Sequence, residues 1–362
     1  HTANRRPNKL ITFEKFVKSD KKSLLEVMKS ISDEVSAQDK TLADQKNWDW
    51  RYEELPTGKS HVYLAKDNNS IIGYYHIPTY EVFVKNKKMT IGNIQSVAIS
   101  KSHRNSFIFQ KLAKFANHDI DQHVDLIYTF PNHRSINTFI KYNDFHVVTE
   151  LPLHLRPISV RAFFEKKINS KFLGSIFGGL LEIYSRFKLK RLDQFDLIEE
   201  VDGFDTEIET LFLKFGLRHE IRLLRNKTYL EWRFNNSVKG KYKILGLRSN
   251  SELVAIAVVK IEYILSERCL VIMDLAYDRV DSAKKLLSNI DSLYVDEKIA
   301  FIVKSSTSVD KKIEENVGFI KVPSRFNPRK LYLLARWTNE KKSSDLLKAA
   351  IWQVTFSDWD VF

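Results

Sequence analysis

One cysteine, Cys269, in 362 residues excludes an intramolecular disulfide and any thiolate-rich zinc site. Glycine (11) and proline (8) are scarce, which excludes collagen-like and low-complexity chains. No apolar run approaches the roughly 20 residues that cross a bilayer. No secretory leader is evident, so a reducing cytoplasm is the expected setting. Residues 1–8 are set aside, because the chain does not begin with Met. What is present is 43% hydrophobic, 12% aromatic and 28% charged residues, enough apolar material for two folded cores. Lys and Arg number 58 against 45 Asp and Glu, a net charge of +13. That surplus suits an anionic partner such as a nucleotide, a sugar nucleotide, a nucleic acid or a membrane surface, and also suits plain solubility.

An internal repeat organises the chain. Trp48-Asp49-Trp50-Arg51-Tyr52 precedes two strand-like runs, His61–Lys66 and Ile71–Ile77, separated by Asp67-Asn68-Asn69-Ser70. Glu231-Trp232-Arg233-Phe234 precedes Tyr242–Leu247 and Leu253–Ile261, separated by Arg248-Ser249-Asn250-Ser251. The Trp-Arg anchors lie 182 residues apart. Each half continues with a strand (Thr90–Ile99; Cys269–Ala276), a helical stretch and an apolar strand (Val124–Phe130; Ala300–Val303). Each closes near Phe145 or Phe319. Hairpins, a helix, a buried strand and a helix describe an α+β unit. The expected domains are 9–150 and 199–362, the second degenerate, joined by a partly helical linker over 151–198. Within 166–191 an apolar stretch from Phe172 to Leu181 is flanked by Lys166, Lys167, Lys188, Lys190 and Arg191. It reads either as a linker helix packed on a domain or as a peripheral contact with an anionic membrane.

Ile94–Ala113 reads as a strand, a turn and a helix start: IQSVAIS, KSHRNSFIF, QKLA. This resembles motif A of the GNAT acyltransferases, in which Arg or Gln is followed at fixed spacing by two small residues. The resemblance implies two tandem GNAT domains, each a mixed, mostly antiparallel sheet flanked by helices. It implies acetyl-CoA or another acyl-CoA as co-substrate and no metal. Backbone N–H groups of the turn and the helix N-terminus would cradle the pyrophosphate. The strand before them would present Val97 and Ile99 to the pantetheine arm. The donor-binding residues carried over are Val97, Ile99, Arg104, Asn105, Ser106, Phe107, Ile108 and Phe109. Phe107 and Phe109 stand where the family has small residues. Either the turn takes another path, or the donor differs, or this copy has lost catalysis.

Phe130-Pro131-Asn132-His133-Arg134-Ser135 resembles the family's motif B, with Asn132 against the pantetheine arm. The Tyr expected seven positions later is Phe139, and the nearest phenol is Tyr142. Candidate bases are His76 and Glu81, with Gln95 orienting water. His103, His118, His123 and His133 show no metal-binding spacing. The second copy's turn, Tyr277–Ser282, has no glycine and two acids. The aromatic, acidic ending from Trp352 resembles tandem GNAT proteins found with bacterial surface-polysaccharide genes, with Asp358 and Asp360 as possible sugar contacts.

Three readings stay open. One is an acetyltransferase with its site in the N-terminal domain and a small-molecule or saccharide acceptor: an amino sugar, sugar nucleotide or polysaccharide precursor. Another is a Fem-type peptidoglycan ligase that takes aminoacyl-tRNA, the one nucleic acid expected in any reading. The third is a non-catalytic scaffold. Oligomeric state is left open.

Overall fold

The computed structural model describes residues 11–35, 43–56, 58–104, 107–307, 313–327, 330–338 and 344–359. They form two units. The first holds the described residues up to Val82, Lys88–Val148 and those of Tyr332–Leu347. The second holds Phe83–Lys87, those of Thr149–Leu331 and those from Lys348.

The first half runs β1 (Ile11–Lys15), α1 (Lys21–Val35), α2 (Gln45–Trp48), β2 (Ser60–Asp67), β3 (Ser70–Val84), β4 (Lys87–Ile94) and β5 (Val97–Ile99). It ends with α3 (Ile108–Ile120), β6 (Leu126–Thr129), α4 (Ile136–Asn143) and β7 (His146–Glu150). Asn68 and Asn69 turn β2 into β3 with φ of 47° and 68°. That is the positive-φ pair a two-residue hairpin needs, and asparagine tolerates it. Alternation along β3 feeds two cores. Tyr75 and Ile77 pack with Ile108, Leu112, Ala116 and Ile120 of α3. Tyr74 packs with Leu24 and Met28 of α1 and with Trp48. Each fully buried large apolar side chain contributes about 1.5–3 kcal/mol.

The second half runs β8 (His154–Pro157), α5 (Arg161–Lys167), α6 (Lys171–Phe187), β9 (Asp196–Val201), α7 (Thr206–Gly216), β10 (Ile221–Leu223) and α8 (Lys227–Leu230). Next come β11 (Lys243–Ser249), β12 (Glu252–Ile264), β13 (Glu267–Tyr277), α9 (Val280–Asn289), β14 (Phe301–Lys304) and β15 (Ser306–Thr307). The chain ends with β16 (Ile320–Lys321), β17 (Tyr332–Trp337) and β18 (Trp352–Thr355). The main sheet of the second unit has the order β16-β8-β14-β13-β12-β11-β9.

The repeat holds in detail. Each Trp-Arg anchor lies in a five-residue π-helical turn, Asp49–Glu53 or Glu231–Asn235, with the arginine buried. The first hairpin of each half has its register shift at the same place, Ala65/Lys66 and Leu247/Arg248. Asp144 (φ 56°) ends α4 in the left-handed region that Gly318 (φ 79°) takes in the second half.

Two arrangements are absent from the sequence pattern. β8 pairs antiparallel with β14 and β16 in the second unit, so 151–198 supplies a sheet strand as well as helices. β17 pairs antiparallel with β6, so this strand, placed from the sequence in the C-terminal domain, lies in the first unit. Arg336 anchors it there, with its guanidinium on Asp121 (2.6 Å) and over the Phe145 ring. Each inserted strand covers backbone groups that an edge would expose. Among the described residues, no helix is long and apolar enough to cross a membrane.

Candidate functional site

β4 and β5 are one strand broken at Gln95–Ser96. Up to the break, β4 runs parallel to β6, from Ile91↔Leu126 to Ile94↔Thr129. Past it, β5 pairs with β3, Tyr75↔Val97 to Gly73↔Ile99, and β6 has no partner on that side among the described strands. The two strands therefore part beyond Thr129. His76 N donates to Ser96 O (3.0 Å) and Ser100 N to Ile72 O (2.8 Å). Bonding alternates along an antiparallel edge, so the N–H and C=O of Val97 and Ile99 face away from β3, toward the opening.

The turn after β5 is held from both sides. His103 Nε2 meets Asp67 Oδ2 at 3.1 Å, and its Nδ1 lies 2.8 Å from Ser102 Oγ. Arg104 folds back, with Nε donating to the Ile99 carbonyl at 3.1 Å. Asn105 and Ser106 lie outside the described residues. Phe107 precedes α3 with φ −63°, so no positive φ is demanded of it, and its ring is 71% exposed. Ile108 is buried, and Phe109 packs between Tyr75 and Phe139 at centroid distances of 6.3 and 6.2 Å. The family's two small positions are thus met by one ring in solvent and one in the core. The first turn of α3 carries no acid.

The other candidates are spread out. His76 is fully buried, and neither ring nitrogen has a hydrogen-bond partner among the described residues. The rings of Trp48, Tyr52 and Tyr74 surround it at 5.1, 4.7 and 5.0 Å. Burial, with the Arg51 charge adding to it, pushes its pKa down to about 3, so it is neutral. Gln95 sits at the strand break. Its Nε2 donates to Tyr80 Oη (3.3 Å), and its buried Oε1 has no partner. Tyr52 Oη bonds Ser96 Oγ at 3.2 Å. Glu81 is paired with Lys88 at 2.5 Å. Asn132 Oδ1 accepts from the Arg134 and Ser135 amides (2.9 and 3.2 Å), so it builds the turn into α4. Tyr142 is exposed on α4 under the Lys141 ammonium, while Phe139 is in the core. The structure thus gathers Gln95, Val97, Ile99 and Arg104 along one strand and its turn, and leaves Glu81 and Tyr142 tied elsewhere.

Spacing along the sequence missed one cluster. His61, Asp119 and His123 bring ligand-type atoms within 4.8 Å of one another, and Asp119 is already held by Lys15 (2.6 Å) and Tyr63 (2.9 Å).

The second unit repeats the break. The β12–β13 register skips Met273, between Val258↔Asp274 and Val259↔Ile272, and β13 leaves β14 after Ile272↔Lys304. Here the chain's own ending enters. β18 pairs with β15 and β10. Ser357 Oγ donates to Asp274 Oδ2 at 2.9 Å. Arg225 bridges Asp274 and Asp358, both at 2.7 Å, and all three side chains are buried. Asp358 is therefore spent on the fold, and Asp360 lies outside the described residues. What is left is a narrow pocket, open in part to solvent, lined by Phe215, His219, Asp274, Lys304, Thr307 and Gln353 among others. Gln353 is buried, and neither end of its amide has a partner among the described residues. Asp278 and Asp281 flank the start of α9, with Ser282 Oγ donating to Asp278 at 2.6 Å.

No protein-family model matches the chain, and no curated protein matches it. Solved structures do. A probable N-acyltransferase of unknown function from Enterococcus faecalis aligns at TM-score 0.63 and 14% identity, over 91% of this chain and 73% of that one. A GCN5-related N-acetyltransferase from Anabaena variabilis aligns at TM-score 0.64 and 10% identity, over 91% and 73%. Saccharomyces cerevisiae N-myristoyltransferase with bound myristoyl-CoA aligns at TM-score 0.55 and 10% identity, over 92% and 85%. The fold is that of the GNAT acyltransferases, present as two GNAT-like domains.

Proposed function

We propose that the chain transfers an acyl group from acyl-CoA to an amine or hydroxyl, with the donor in the first unit. The observation that carries this is the parting of β5 from β6, which turns the backbone of Val97 and Ile99 toward an opening at the acid-free start of α3. Val97 would pair with the pantetheine amides. Arg104 and the first amides of α3 would receive the pyrophosphate, where aligned N–H groups and a guanidinium stabilise anionic oxygen. Gln95 Oε1, buried at the break, would accept a proton-bearing group of the acceptor or a bridging water. Burial keeps His76 neutral near neutral pH, and its backbone bonds to Gln95 and Ser96 at the break. The acceptor proposed is an amino sugar, sugar nucleotide or polysaccharide precursor, on the strength of the net charge of +13.

Calorimetry with acetyl-CoA and longer acyl-CoAs should give micromolar binding, and release of free thiol should follow addition of an amino-sugar acceptor. The yeast neighbour's ligand is the reason to include myristoyl-CoA. No binding at millimolar concentrations of any donor would end the proposal. A scaffold reading draws on the second unit, whose slot its own C-terminal strand fills; turnover with any acceptor excludes it. Binding of aminoacyl-tRNA that weakens steeply with salt would favour the Fem-type reading instead.

A further inference from the structure

The helical hairpin α5–α6 carries an apolar face that none of the described residues covers. Phe172, Ile176, Leu180, Ile183, Tyr184 and Phe187 are all exposed, Phe187 at 85% and Leu180 at 60%. At 100° per residue these positions fall within about 120° of arc, the width of a helix face built for burial. The three glycines of α6 are elsewhere on the wheel. Cβ atoms on Gly174 and Gly178 would stand 2.4 and 2.8 Å from the backbones of Glu165 and Arg161. They let α6 lie directly on α5, so the apolar face is held rigid by a second helix and does not rely on its own helix propensity.

Charge selects the partner. Residues 161–191 contain eight Lys and Arg and two acids. One acid, Glu182, is turned inward, accepting from Val160 N (2.9 Å) and Arg161 Nε (3.2 Å). The cations cluster at both ends of α6: Lys166, Lys167 and Lys171 at one, Lys188, Lys190 and Arg191 at the other. Two copies of this chain pairing along the stripe would set cations against cations in either direction, which disfavours a homodimer. A surface with an apolar interior and anionic headgroups meets both requirements. At 17 residues α6 spans about 26 Å and is amphipathic, so it would lie along a bilayer.

We infer that α6 docks this protein on an anionic membrane surface, its apolar stripe among the acyl chains and its basic ends against lipid phosphates. This is independent of the proposed acyl transfer.

The test is co-sedimentation of the full chain with vesicles of phosphatidylcholine containing phosphatidylglycerol, against phosphatidylcholine alone. Binding to the anionic vesicles is expected, much weaker binding to the neutral ones, and partial release by salt. Leu180→Glu should weaken partitioning about 30-fold or more. Lys188→Gln with Lys190→Gln should weaken it about 25-fold on anionic vesicles only. All three side chains are exposed, and unchanged melting curves would confirm that the variants fold. Wild-type protein left in the supernatant with anionic vesicles overturns the inference. So does Leu180→Glu that pellets like wild type, or a wild-type dimer that Leu180→Glu makes monomeric, which would put a second copy on the face.

Discussion

The two units carry the same broken strand and use it differently. In the first, β5 leaves β6 and, among the described residues, its outward backbone has no strand across from it. In the second, β13 leaves β14 and the C-terminal strand β18 takes up position on β15, tied down through Ser357 and Arg225 to Asp274. The helix that follows tells the same story. α3 starts without acids, whereas α9 starts between Asp278 and Asp281. A splayed strand in this fold is thus a position, open beside β5 among the described residues and taken up by β18 in the second unit. The duplicated architecture alone does not assign chemistry to either half.

The buried network of the second unit should give the largest effect. Arg225→Ala would leave Asp274 and Asp358 buried without their cation, which should cost about 3–5 kcal/mol and loosen the β18 ending. Chemical denaturation read by tryptophan fluorescence would show it, and a variant as stable as wild type would mean the network is not what closes that slot. Next is Arg104→Ala in the first unit, expected to weaken acyl-CoA binding by about 10–100-fold, while the lost bond to the Ile99 carbonyl costs only about 0.5–1.5 kcal/mol of stability. Equal donor affinity would move the donor out of this turn.

Acid should separate the units further. His76 titrates near 3 when folded and near its ordinary 6.5 when unfolded, so the unfolded chain takes up a proton that the folded chain refuses. The stability from neutral His76 is complete above about pH 6.5 and falls as the pH drops toward 3, by up to about 1.4 kcal/mol per pH unit. His154 in the second unit, pushed down to about 4 by burial and the Lys304 charge, has the same sign over a shorter range. Melts across this range should show a flatter slope in His76→Leu; an unchanged slope would assign the acid sensitivity elsewhere. The smallest effect is expected for Phe107→Gly. With its ring in solvent, the substitution should change stability by less than about 0.5 kcal/mol and leave donor affinity equal or slightly better. A clear loss of affinity would mean that the ring itself contacts the donor.

Much of the fold was legible because it is local. The Asn68-Asn69 and Asn250-Ser251 turns, the alternation of β2 and β11, and the Trp-Arg anchors are short-range patterns, and they recur at one offset. Their agreement over a hundred residues is what identified a duplicated α+β unit. The candidate site was legible in part, because Gln95, Val97, Ile99 and Arg104 are near neighbours on one strand and turn. Tyr142 was chosen by counting along a helix, and counting did not tell that its face is the outer one, since Phe139 already fills the core side.

The sequence by itself determined the repeat, the strand–turn–helix that heads each half, and the basic, apolar character of 161–191. Only the tertiary structure decided that β17 completes the first unit, that β18 closes the slot of the second, and that the glycines of α6 face α5 while Phe172 and Phe187 face outward. The reason is that strand pairing and helix packing join residues far apart in the chain, as Trp337 pairs with Leu126. Such partners are chosen by competition among many comparable apolar segments, and no local pattern records the outcome.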